Sequence, residues 1–446
     1  MQRKKIIVLD VVGLRHQHFA DPDNLPHLNT LAGNGRLYSM LPPFPAVTLP
    51  VQATMTTGVP PEKHGVVANG FYFPEQYKVS FWEQADSLVQ AERIWDRLKK
   101  KDPSLVTAAL FMQNILYSGN DIVVTPKPMH AESGLIQWCY SKPADLYDQL
   151  CAELGPFELK HYWGPMASIG SSRWITGAAI SVFQKHRPDL LYVYLPHLDY
   201  NMQRLGPDHP DIKKDLVLID TEIGRFLSML QKNGLGEEVV LLVTSEYVFH
   251  QVRRAIPINL TLRQEGLLSV RTIEGREYLD PEASAAFAMV DHQVAHLYIR
   301  KGKKEAVRRV LEKCEGIEQL LDADGKERLA VNHPRSGDLI AVAAKDAWFS
   351  YPWWSDQNRE PFFAPHVDIH NKPGYDPLEL FFDMQNKRIP TDPLLIKGSH
   401  GRPAKDPSEA VPLLVVGDPG VKMDSDATYP MTVIPELIEE ILSPKK

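Results

Sequence analysis

Ile6-Ile7-Val8-Leu9-Asp10 follows directly on the basic start Met1-Gln-Arg-Lys-Lys5, and how this run is read decides the fold. Its unbroken apolar stretch lacks the apolar/polar alternation of a strand wetted on one side, so it reads as a strand buried on both faces, as in a parallel sheet. Runs of the same kind recur at 190–196, 239–246 and 413–416. Segments with helical periodicity lie among the earlier runs, at 24–32, 172–186 and 211–232. Alternation of this kind predicts a doubly wound α/β fold with a mostly parallel central sheet.

In such sheets ligands collect beyond the carboxyl ends of the strands. The polar residues closing the runs are Asp10, then His197 and Asp199, then Glu246. Between 249 and 389 the pattern changes to short strands at 294–300 and 338–344, a helix at 304–314 and the aromatic stretch Trp348-Phe-Ser-Tyr-Pro-Trp-Trp354. An inserted α+β cap domain over 249–389 is expected, with 1–248 and 390–446 forming the catalytic core.

Composition narrows the function classes. The 446 residues are 43% hydrophobic and 24% charged, which predicts a packed core. A net charge of −7 provides no basic field for a nucleic-acid polymer or an anionic membrane. Three cysteines, Cys139, Cys151 and Cys314, have no metal-ligand spacing and read as reduced, buried thiols. The N-terminal run is too short for a signal peptide, and no stretch reaches the ~20 apolar residues of a membrane span. These features predict a cytoplasmic protein; oligomeric state is left open.

The densest motif is Pro43-Phe-Pro-Ala-Val-Thr48-Leu-Pro-Val-Gln, continuing to Thr57-Gly58-Val-Pro-Pro61-Glu-Lys-His64-Gly65 and Asn69. Thr48 precedes Pro50 and an apolar helical segment, so its hydroxyl is expected at or near a helix N-terminus, where negative charge is favoured. Taken alone, Thr48 reads as an ordinary helix cap. Two further segments, 291–296 and 366–376, are rich in Asp and His. If the second is extended, Asp368 and His370 face one side and suit joint coordination. His292 and His197 are further candidates for a ligand or a supporting position, and His296, inside an apolar strand, is a weaker one. Lys372, Arg204 and Arg402 are available to meet phosphate oxygens, or to form salt bridges. The tryptophans would stack on a base or fill the cap's core.

The segment around Thr48 resembles the nucleophile region of the type I phosphodiesterase and nucleotide pyrophosphatase family, within the alkaline phosphatase superfamily. There Phe-Pro-x-x-Thr-x-Pro precedes Thr-Gly-x-x-Pro-x-x-His-Gly and an Asn. Phe44-Pro45, Thr48, Pro50, Thr57-Gly58, Pro61, His64-Gly65 and Asn69 fall in register. The resemblance implies that Thr48 is a metal-bound nucleophile and that Asn69 donates to a phosphoryl oxygen, while His64 reads as structural. It also implies two divalent ions about 4 Å apart, zinc first, with manganese, magnesium or iron as alternatives. Asp10, Asp199 and His400, in Gly398-Ser-His400-Gly, match family ligands.

Two positions depart from the family pattern. Gln203 stands where Asp-x-x-x-His has its histidine, and Ser245-Glu246-Tyr247 replaces a strand-ending Asp-His. Glu246 can still ligate a metal through oxygen, Tyr247 only as a phenolate, and Gln203 only through a neutral carbonyl. Substitution as a group resembles a bacterial branch of the superfamily.

The expected activity is therefore a metal-dependent hydrolase of a small phosphorylated metabolite, a phosphodiesterase or nucleotide pyrophosphatase, with in-line attack by Thr48. Phosphomonoesterase or phosphonate hydrolase on the same fold, and a non-catalytic binding protein, are the alternatives. A sulfatase is disfavoured because no Cys/Ser-x-Pro-x-Arg segment is found at the nucleophile position.

Overall fold

The computed structural model describes residues 3–132, 134–232 and 238–442. The opening run becomes strand β1 (Lys5–Val11), buried from Ile6 onward, as its unbroken apolar pattern requires. It sits in a nine-stranded sheet with β2 (Arg36–Leu41), β3 (Thr107–Leu110), β4 (Ile122–Pro126), β5 (Cys139–Lys142), β6 (Leu190–Leu195), β7 (Val239–Thr244), β8 (Val411–Val416) and β9 (Thr428–Pro430). The spatial order is β9-β2-β8-β7-β1-β6-β3-β4-β5. The central strands β7, β1, β6, β3 and β4 are parallel. Strand β8 runs antiparallel to both β7 and β2, and β5 antiparallel to β4.

Strands β6 and β7 end earlier than the sequence predicts, at Leu195 and Thr244. Pro196 has no N–H to continue a ladder, and a helix, His197–Leu205, begins immediately after it. Asp199 is thus delivered on the first turn of a helix. Two groups of helices cover the sheet. Pro26–Asn34, Ile169–His186, His197–Leu205 and Ile212–Lys232 contact one another, as do Thr48–Thr57, Ile94–Lys101 and Val433–Leu442. Among the described residues no helix is long and apolar enough to cross a membrane.

A second sheet of four antiparallel strands pairs Ala286–Asp291, Val294–Ile299, Leu339–Ala343 and Ile317–Leu321 in that order. Its hydrophobic core includes Phe287, Met289, Leu297, Val307 and Leu311, and also takes in Ala68, Val79 and Phe81 from the chain following the Thr48 helix. Trp348, Trp353 and Trp354 are buried, the last two packed edge to face at 5.3 Å. Large apolar rings in this setting are packing groups. The helix expected at 304–314 is Lys304–Leu311.

One crossing fixes the register of the site. Gly398–Ser399 pairs antiparallel with His250–Gln251 and passes over the end of the His197–Leu205 helix. A β-carbon on Gly398 would stand 2.0 Å from the Met202 carbonyl oxygen, so only glycine permits the approach. The Lys397 N–H donates to the Gln203 carbonyl at 2.9 Å, locking the crossing and placing His400 beside Tyr247.

Candidate active site

Thr48 is the first residue of its ten-residue helix, after an extended Val47. It does not cap that helix with its own side chain. Asn69 Oδ1 accepts the Leu49 N–H at 2.9 Å, closing the N-terminus from outside. The Thr48 hydroxyl is thereby left for other contacts, and its oxygen lies 3.1 Å from the Tyr247 phenol oxygen. Asn69 is itself held by Asp291, which accepts the Asn69 N–H at 2.7 Å and one side-chain amide hydrogen at 3.1 Å.

Gln52, one helical turn after Thr48, organises two carboxyls. Its Oε1 accepts the Gln113 N–H at 2.7 Å, which fixes the amide's orientation because a backbone N–H can only donate. Its NH2 therefore points at Glu246 Oε1, 2.6 Å away, and Asp10 Oδ2, 3.4 Å away. Asp10 Oδ1 and Glu246 Oε2 remain buried without a hydrogen-bond partner. Burial pushes Asp10 up to about 7, partly offset by the neighbouring Glu246 carboxyl. Glu246 is pushed well above the carboxylate range by burial and by its neighbour Asp10.

Asp199 lies on the opposite side of Tyr247. Its Oδ2 accepts from Gln203 Nε2 at 2.6 Å and its Oδ1 from the Tyr247 hydroxyl at 3.4 Å. Gln203 Oε1 in turn accepts from the Tyr375 hydroxyl at 2.9 Å. Between the two tyrosines stand two imidazoles in ring contact. Tyr247 stacks on His400 at 3.5 Å, His400 meets His292 at 3.7 Å, and His292 stacks on Tyr375 at 3.9 Å. His400 Nδ1 donates to the Ala46 carbonyl at 2.8 Å, leaving Nε2 as a buried lone pair without a partner. His292 reaches the stack from the two-residue turn between Ala286–Asp291 and Val294–Ile299, in a left-handed conformation with φ 58° that costs a non-glycine residue about 1–2 kcal/mol. The same turn positions Asp291.

The donor set differs from that of a two-ion pair. Among the described residues, no three His, Cys, Asp or Glu side chains converge to hold a metal. Asp10, Glu246 and the Thr48 hydroxyl fit one ion, because Asp10 Oδ1 and Glu246 Oε2 are buried and unpartnered beside it. Two carboxyls and a hydroxyl are oxygen donors, which suit a hard ion such as Mg²⁺ or Mn²⁺ better than Zn²⁺. At Asp199 each oxygen already accepts a hydrogen bond, and the nearest further donor, the neutral Gln203 carbonyl, is engaged by Tyr375, so the residues present fit a second ion poorly.

Other expected site residues lie elsewhere. Asp368 accepts from the Asn371 side chain at 2.8 and 3.0 Å, and His370 is exposed with Nδ1 3.3 Å from the Phe81 carbonyl. The segment runs in turns, so the same-side argument for an extended chain does not apply. Lys372 is buried between Asp376 and Glu379, 2.8 Å from each, and Arg402 bonds to Glu318 at 2.8 Å and to the Ala343 carbonyl. Neither is placed to anchor a phosphate. Arg204 binds backbone carbonyls, among them Leu380 at 3.0 Å. His197 faces Asp215 at 3.3 Å, His296 bonds to the Val67 carbonyl at 3.1 Å, and His64 lies 3.0 Å from the Thr54 hydroxyl. Conversely, sequence reasoning missed Gln52, Gln113 and Tyr375, and took in Asp291 only as part of the Asp- and His-rich segment 291–296. Gln52 had a signal, since position i+4 shares a helix face with Thr48; Gln113 and Tyr375 had none.

The chain is 24% identical over 251 residues to an uncharacterised pyrophosphatase/phosphodiesterase of Schizosaccharomyces pombe, covering 54% of this chain and 44% of that protein. It is 23% identical over 249 residues to ectonucleotide pyrophosphatase/phosphodiesterase family member 7 of Homo sapiens, covering 55% and 48%. The chain thus spans about half the length of these relatives. Among solved structures, murine ectonucleotide pyrophosphatase/phosphodiesterase 5, an inactive threonine-to-alanine form in complex with AMP, shares the fold with a TM-score of 0.63 at 18% identity, over 99% of this chain and 95% of that one. Phosphonoacetate hydrolase of Sinorhizobium meliloti in complex with phosphonoformate does so with a TM-score of 0.63 at 16% identity, over 98% and 96%. The sequence model of type I phosphodiesterase / nucleotide pyrophosphatase matches residues 6–376, most of the chain, and the protein belongs to that family.

Proposed function

We propose that the protein hydrolyses a phosphoric ester or phosphoanhydride bond of a small phosphorylated metabolite, as a phosphodiesterase or nucleotide pyrophosphatase, with the Thr48 hydroxyl as nucleophile. The observation carrying this reading is that Asn69 takes over the capping of the helix, leaving the Thr48 hydroxyl to meet Tyr247 and Glu246. The helix N-terminus favours the negative charge that gathers there.

Thr48 Oγ1 attacks phosphorus in line with the leaving group, and the proton it loses ends on the departing oxygen. A covalent phosphoryl-threonine ester forms as the bond to the leaving group breaks, and water then cleaves it, releasing a phosphate monoester from a diester or anhydride substrate and restoring the hydroxyl. One hydrogen of the Asn69 amide is engaged by Asp291, and the other is free to meet a phosphoryl oxygen. A divalent ion held by Asp10 and Glu246, with Thr48, would supply positive charge to the nucleophile and the phosphoryl oxygens. The AMP and phosphonoformate complexes of the two structural neighbours support a small phosphorylated or phosphonate ligand.

A second reading, a binding protein without turnover, is favoured by the occupied oxygens of Asp199. Turnover of a bis-aryl phosphodiester and an aryl phosphomonoester, with Mg²⁺ or Mn²⁺, separates the two. Wild-type protein is expected to hydrolyse at least one ester and Thr48→Ala to be slower by about 10³-fold or more. Equal rates for both proteins, or none for either, would exclude the Thr48 hydrolase. The preferred ester distinguishes diesterase from monoesterase.

A further inference from the structure

We infer that this chain holds one divalent ion where the family resemblance implies two, and that its own side chains, Tyr247, Gln203 and Tyr375, permanently fill the second position. The inference rests on the proposed function for the ion at Asp10 and Glu246, but not for the closure at Asp199.

The two halves of the site treat their carboxyls differently. The Gln52 amide takes one oxygen from each of Asp10 and Glu246 and leaves the other oxygen of each buried without a partner. At Asp199 no oxygen is left over. Gln203 donates to one and Tyr247 to the other. Gln203 sits one turn after Asp199 on the same helix, so its amide meets the carboxyl from a rigid position. Tyr375 donates to the Gln203 oxygen, and its ring caps the far end of the stack through His292 and His400 back to Tyr247. The result is a closed circuit of hydrogen bonds and ring contacts, and its six side chains are at most 9% exposed. An ion entering beside Asp199 would have to displace an amide or a phenol and leave that donor buried without an acceptor.

The circuit also explains why the two departures from the family pattern occur together. With histidine at 203 alone, Tyr375 would lose its amide partner; with histidine at 247 alone, the link from Thr48 to Asp199 would be cut. His400 remains, but its free Nε2 belongs to a ring stacked on Tyr247 on one side and held by a tilted contact with His292 on the other.

The test is the number of ions bound. Metal-stripped protein is titrated with Mn²⁺, free ion is followed by electron paramagnetic resonance, and folding is monitored by circular dichroism. Wild-type chain is expected to bind one ion, Asp10→Asn none, and the triple variant Gln203→His, Glu246→Asp, Tyr247→His two. Two ions in the wild type, or a folded triple variant that gains none, would overturn the closure while leaving the proposed hydrolase standing. No ion in the wild type would overturn both the one-ion count and the ion of the proposed function. Should the triple variant not fold, anomalous scattering from Mn²⁺-soaked wild-type crystals decides the point. One peak at Asp10 and Glu246 is expected, and a peak at Asp199 would refute the closure.

Discussion

Gln52 shows how much of the site depends on a residue with no chemistry of its own. It joins the Gln113 backbone to two carboxyls at the end of the central strands, and all of these groups are buried. In Gln52→Ala the Gln113 N–H and an oxygen of Glu246 lose their partners together, and leaving buried polar groups unsatisfied costs about 1–3 kcal/mol. Urea unfolding of metal-free protein is expected to show a loss of that size, and an unchanged midpoint would mean that water replaces the amide. Thr48 was legible from its motif, but what frees its hydroxyl was not, because the cap comes from a residue 21 positions away whose own anchor, Asp291, lies far along the chain.

At the scale of elements, two short connections do what the long strands and helices cannot. The turn carrying Asp291 and His292 brings the second sheet to the site, and Gly398–Ser399 brings His400 over the end of the Asp199 helix. For Gly398→Ala the added methyl must be accommodated 2.0 Å from a backbone oxygen, so the crossing has to shift. The expected cost is about 1–3 kcal/mol. Thermal unfolding checks it, and a melting temperature equal to wild type would show that the crossing is not tightly fixed. The segment 366–376 illustrates the opposite outcome. Its Asp and His looked like ligands on an extended chain, yet it folds into turns that direct Asp368 to Asn371, while Tyr375, which drew no notice, enters the site.

Over the whole molecule, buried titratable groups pull in two directions. Burial lowers His18, His64, His296 and His400 to about 3, and raises Asp10, Asp199 and Asp291 to about 7. For the imidazoles the unfolded chain takes up protons near 6.5 that the folded chain refuses, so their contribution to stability falls as pH drops from about 6.5 toward 3. For the carboxyls the folded chain keeps protons that the unfolded chain releases above about 4, so their contribution falls as pH rises through about 7. The two sets partly cancel between pH 4 and 6.5 in metal-free protein. His296 makes a clean probe because it ties a strand of the second sheet to Val67, outside the carboxyl cluster. Relative to wild type, His296→Gln should lose stability at pH 7 but lose less on acidification, with a slope shallower by up to about 1.4 kcal/mol per pH unit. Parallel stability curves from pH 6.5 to 4.5 would mean that His296 is not held neutral by the fold.

From the sequence alone came the doubly wound α/β class, the buried parallel strands, and Asp10, Thr48, Asp199, Glu246, Tyr247, Gln203 and His400 as residues belonging together. The fold class and the strand-end carboxyls follow from local causes, apolar periodicity and residues at strand ends, whereas the grouping of the site residues is what the family resemblance implies. Only the tertiary structure decided which of their atoms are already satisfied. That outcome depends on Gln113, Asp291, His292 and Tyr375, which arrive from distant parts of the chain, and a hydrogen bond or ring stack is set by distances of a few ångströms that sequence separation does not encode. The composition of the site was therefore readable early, whereas the hydrogen-bond partners of its atoms were set by packing.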